Sequence, residues 1–121
     1  MKENVIKEKS FSFALDIIDL YKDLATQKEF IISKQLLRSG TSIGANVFES
    51  TAAQSRKDFL SKLSIATKEA HETKYWLLLL DKSQIVKIDY SQMLLKIDEI
   101  IKILTSIVKT TQQEKEDNSK F

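Results

Sequence analysis

Hydrophobic residues in this chain recur at alternating spacings of three and four, the period of amphipathic helices. From about Ser10 to Gln27, the row Phe11, Ala14, Ile18, Tyr21 and Ala25 runs beside a second row, Phe13, Ile17, Leu20 and Leu24. With Ser10 as N-cap, this predicts a first helix whose apolar stripe is wide enough to meet two neighbours. A second helix is predicted from about Glu29 to Ala53. Leu36, Gly40, Ile43 and Val47 lie along one face of it, with Leu37 and Gly44 alongside. Ser55-Arg56-Lys57-Asp58 carries a capping-box pattern and opens a third helix. There Phe59, Leu63, Ala66, Ala70, Thr73, Leu77 and Leu80 form a regular seam. Asp89, with Gln92 three residues on, opens a fourth, whose row is Tyr90, Met93, Ile97, Ile100, Leu104 and Ile107.

The connections between these segments are only a few residues long, so successive helices must run antiparallel. The expected fold is all-α, an antiparallel up-down-up-down four-helix bundle over residues 10–110. A polar segment, residues 1–9, precedes it, and a polar tail, residues 111–121, is expected to fray or stay disordered.

Two glycines inside the second helix each cost about 1 kcal/mol relative to alanine. Gly40 and Gly44 therefore predict close approach by a neighbouring helix. A phosphate-binding loop is the sharper alternative, but Ser39-Gly40-Thr41-Ser42-Ile43-Gly44 lacks the lysine-hydroxyl ending and the preceding strand.

The third helix has more apolar surface than a bundle covers. From Tyr75 to Leu80 it is apolar all round, and Tyr75, Trp76, Leu78 and Leu79 fall off the seam. A helix apolar on every side must be covered on every side, which predicts a self-association interface there. The alternative is that the tail or the start of the first helix, through Phe11 and Phe13, folds over the patch.

Composition narrows the chemistry. Of 121 residues, 42% are hydrophobic and 30% charged, with no proline, two glycines and no cysteine. That is a helical globular domain without disulfides or thiolate metal sites. The start is polar, with no signal-peptide pattern, and the longest apolar run is far below the ~20 residues of a membrane span. A cytoplasmic protein with no membrane association is expected. The single histidine, His71, has Lys68 three residues before it, so the Glu-x-x-His pairs of a di-iron bundle are missing. No metal, no cofactor, no catalytic triad and no seam carboxylates point to an enzyme. The net charge is only +2, yet residues 28–87 hold ten Lys/Arg against six Asp/Glu. Arg56, Lys57, Lys68, Lys74 and Lys82 share about a third of the third helix's circumference. Repeated in an oligomer, that stripe is a candidate RNA- or DNA-binding face.

The segment Gln35-Leu36-Leu37-Arg38-Ser39-Gly40-Thr41-Ser42-Ile43-Gly44-Ala45-Asn46-Val47, followed by Glu49, resembles the signature of a family of small bacterial four-helix-bundle proteins. The family is related to proteins encoded in intervening sequences of 23S ribosomal RNA genes. Asp58 to Leu63, Ile65-Ala66, Lys68-Glu69-Ala70 and Glu72-Thr73 into Tyr75-Trp76-Leu77 are similar to it as well. The resemblance covers roughly residues 10–110. It implies the same bundle, a ring-shaped homopentamer and no established enzymatic activity. It also implies a likeness to the basic accessory protein of diversity-generating retroelements, which works with a reverse transcriptase and nucleic acid. Phe48 and Leu78 depart from the family pattern, adding apolar surface; Phe48 stands where an arginine able to contact phosphate, or a small residue, is often found, and Leu78 where a glutamate is common. The motif's Arg38, Asn46 and Glu49 are expected to form one polar network that fixes helix register.

Overall fold

The computed structural model describes the backbone of residues 1–119 and the side chains of residues 1–114. Four helices fill it: α1 (Lys2–Thr26), α2 (Ile32–Ser50), α3 (Arg56–Ser83) and α4 (Ser91–Ser119). Each packs against its neighbours in the cycle α1–α2–α3–α4–α1. Among the described residues neither diagonal pair, α1 with α3 or α2 with α4, brings Cα atoms within 8 Å of each other. This is the all-α antiparallel four-helix bundle that the short connections require.

The seams bury as their spacing dictates. On α3, Leu63, Ala66, Ala70, Thr73, Leu77 and Leu80 are buried; on α4, Ile97, Ile100, Leu104 and Ile107 are, with Tyr90 buried just before its first turn. Phe59 and Met93, in the first turns of α3 and α4, are half-buried. On α1 the second row wins. Phe13, Ile17, Leu20 and Leu24 are core, and the same phase runs back through Ser10 to Ile6. The helix therefore starts at Lys2, and Ser10 is no N-cap: it is a buried mid-helix residue at the crossing with α2. Phe11, in the first row, is turned outwards.

The ends of the other helices also move. The α3 start is as expected, with the Ser55 hydroxyl accepting the Asp58 N–H at 3.0 Å. The predicted start of α2 at Glu29 is instead its cap. The Glu29 carboxylate accepts the N–H groups of Ile31, Ile32 and Ser33 at 3.1, 3.2 and 2.6 Å. These are donors that a first helical turn leaves without intrahelical partners. Lys28, just before, takes a left-handed φ of 64° to turn the chain. Asp89 lies outside α4, where its carboxylate accepts the Ser91 N–H at 3.0 Å. That bond holds its carboxyl below the usual carboxylate range. The fourth helix enters the segment expected as a tail. Thr111 is buried, its hydroxyl donates to the Ile107 carbonyl at 2.8 Å, and α4 continues to Ser119. Residues 120 and 121 of the expected tail lie outside the described residues.

Candidate functional site

Both glycines serve packing. A Cβ added to Gly40 would stand 2.8 Å from Cγ1 and 2.9 Å from Cγ2 of Ile17. One added to Gly44 would stand 3.2 Å from the Ser10 carbonyl oxygen. Both residues keep negative φ, so what they supply is room for α1 and not backbone freedom. The crossing is finished by Ser10, whose small side chain lets the two backbones meet.

The predicted polar trio is not one network. Arg38 reaches across to α3, where its guanidinium pairs with Glu69 at 3.1 Å and with Glu72. Glu72 also accepts the Trp76 indole N–H at 3.0 Å. That bond, followed by the Arg38 contact, holds the Glu72 carboxyl below its ordinary value against partial desolvation. The Asn46 amide instead donates to the Ser42 carbonyl and hydroxyl within α2, at 2.9 and 3.2 Å. Glu49 faces Lys62 at 3.7 Å. The motif residues are spread along more than two turns of α2, so their short reaches meet different partners.

The four residues of the expected apolar patch divide in two. Tyr75, Leu78 and Leu79 are exposed, at 55%, 37% and 36% of their surface. Trp76 is half-buried against the core, edge-on to Tyr75 with ring centroids 5.1 Å apart. It lies on the flank towards α2, where Glu72 occupies its one polar atom. The start of α1 does not cover the patch: Phe13 is core, and Phe11 lies on the helix diagonal to α3.

A second apolar surface, of which the sequence disclosed only Phe48, lies on α1 and α2. Phe11, Leu15 and Phe48 are 68%, 51% and 67% exposed. Asn4, Lys7, Glu8, Phe11, Gly44 and Phe48 line a groove between α1 and α2. The Lys7 ammonium sits 5.6 Å from the Phe48 ring centroid, a cation–π contact. The available signal was the phase of Ile6 and Phe13, seven residues apart, which places Phe11 on the outer side.

The basic stripe of α3 is partly neutralised. Lys74 pairs with Asp98 at 2.8 Å, and Arg56 pairs with Glu114, both across the α3–α4 groove. Among the described residues Lys57, Lys68 and Lys82 form no ion pair. They stand exposed on the outward side with Tyr75. His71 is exposed too, and among the described residues no three His, Asp or Glu side chains are grouped to hold a metal ion. No described helix is long and apolar enough to cross a membrane.

The four-helix fold is shared with known proteins. A family model, the 23S rRNA-intervening sequence protein, matches residues 2–106. The chain belongs to that family. A solved structure from Bacteroides thetaiotaomicron, described as a protein of unknown function from the S23 ribosomal protein family, is 54% identical. The match covers 90% of this chain and 99% of that one, with a TM-score of 0.85. Among proteins of curated function no significant match is found.

Proposed function

We propose that this chain is a non-enzymatic, self-assembling interaction protein whose working form is a homo-oligomer. The observation that carries the reading is the exposed Tyr75, Leu78 and Leu79 patch on α3. Nothing among the described residues packs over it, and contiguous apolar surface of this kind is characteristic of interfaces. Family resemblance implies a homopentamer. Light scattering on the purified protein at tens of micromolar tests the reading. A mass that is a multiple of the 13.9 kDa protomer is expected. A monomer at that concentration overturns it. Tyr75→Glu is expected to lower the assembled fraction with no loss of helical circular dichroism.

A nucleic-acid role ranks second. Two of the five bases proposed for it, Arg56 and Lys74, are engaged with α4 carboxylates. What supports it is the remaining row of Lys57, Lys68 and Lys82, multiplied by assembly. Binding to structured RNA that falls steeply with salt is the expected signature. No complex at low salt would end this second reading.

A further inference from the structure

The two outward apolar surfaces carry opposite charges. On α1, the exposed pair Phe11 and Leu15 is bracketed by Glu8, three residues before, and Asp19, four residues after. On α3, the exposed pair Tyr75 and Leu79 has the same four-residue spacing. It is bracketed by Lys68, seven residues before, and Lys82, three after. At about 100° per residue, each set falls within roughly a quarter of its helix's circumference, on the side away from the core. All eight side chains are exposed, and among the described residues none of the four bracketing charges forms an ion pair.

Two of the neighbouring charges of opposite sign are occupied elsewhere. Glu72 borders the α3 strip, but it is held by Arg38 and by the Trp76 indole. Lys7 borders the α1 strip, but it is held over the Phe48 ring. Lys22 lies three residues beyond Asp19, outside the bracketed pair. The α1 strip is therefore an apolar centre with acidic ends, and the α3 strip an apolar centre with basic ends.

We propose that the α1 strip of one copy docks onto the α3 strip of the next. Phe11 and Leu15 would meet Tyr75 and Leu79, while Glu8 and Asp19 face Lys68 and Lys82. This rests on the self-association reading above and names its partner surface. Packing α3 on α3 would set lysine against lysine, and α1 on α1 carboxylate against carboxylate; like charges so placed oppose association. Because α1 and α3 are diagonal in the bundle, each copy offers both strips at once. Such a heterologous contact extends into a closed ring or an open filament, not a two-fold dimer.

Charge reversal tests the pairing. Glu8→Lys/Asp19→Lys and Lys68→Glu/Lys82→Glu are each expected to weaken self-association by about tenfold or more at low salt. The chain carrying all four changes should recover assembly, because the pairing is restored with its signs exchanged. Glu8→Gln/Asp19→Asn should weaken association in the same direction by a smaller factor. Circular dichroism melting reports whether each variant keeps its fold. A wild-type protein that is monomeric defeats the self-association reading itself. A wild type that assembles, beside a Glu8→Lys/Asp19→Lys variant assembling equally well, overturns only the proposed pairing. So does a fourfold variant no better than either double.

Discussion

The hydroxyls of Ser39 and Thr73 lie 2.9 Å apart, fully buried between α2 and α3. Thr73 Oγ1 is also 2.8 Å from the Glu69 carbonyl. A hydroxyl has one hydrogen, so when Thr73 donates to that carbonyl, Ser39 must be the donor between the two hydroxyls. Thr73→Val keeps the shape of the side chain and strands the Ser39 oxygen in the core. A loss of about 1–2 kcal/mol is expected in urea unfolding. Thr73→Val combined with Ser39→Ala should cost less than the sum of the two single changes. Additive losses would mean that the two hydroxyls are not coupled.

How far the sequence disclosed this arrangement depended on whether a residue's environment was set by its own helix. Leu63 through Leu80 and Ile97 through Ile107 were readable because a seam is fixed by spacing alone. The same spacing could not choose between the two apolar rows of α1. That choice is made by the glycines of α2, which admit Ser10 and Ile17 and leave Phe11 outside. Thr73 fitted the seam by position, but its partner Ser39 lies 34 residues earlier and has no local signature. The expected Arg38–Asn46–Glu49 network failed for the same reason. Arg38's partners, Glu69 and Glu72, are on α3, and one-helix reasoning could not reach them. Pairing of Arg56 and Lys74 with α4 carboxylates was equally hidden, so the basic stripe looked stronger than it is.

The glycines should differ in their response to alanine. At Gly40 the new methyl must displace a fully buried Ile17, from contacts of 2.8 and 2.9 Å. Overpacking of this kind costs about 1–3 kcal/mol, more than the ~1 kcal/mol gained in helix propensity. Gly40→Ala is expected to destabilise. At Gly44 the nearest atom is 3.2 Å away, a shortfall of a few tenths of an ångström that the propensity gain offsets. Gly44→Ala should lie near neutral, and denaturant midpoints of the two variants check the order.

Asn46→Ala is expected to be neutral or slightly stabilising. Its amide bonds only to Ser42 in its own helix, and it is half-exposed, so no buried partner is left unpaired. Alanine is the better helix former by up to about 0.7 kcal/mol. A loss above about 1 kcal/mol would restore the single-network reading of the motif.

The last prediction concerns acid. Glu72 is held below its ordinary pKa chiefly by the Trp76 indole N–H and next by Arg38, against partial desolvation. A carboxylate depressed in the folded state adds stability that is present above the unfolded pKa. That stability is lost as pH falls through the folded pKa. The window therefore opens at the ordinary glutamate range and extends downwards. Trp76 is the chain's single tryptophan, so its fluorescence reports this site alone. Emission should change on acidification in that window, as Glu72 protonates and releases Arg38. Glu72→Gln keeps an acceptor for the indole but has no charge to lose, and should flatten the change. An identical acid transition in the variant would assign the signal to another carboxylate, with Glu69, the second partner of Arg38, the next to replace.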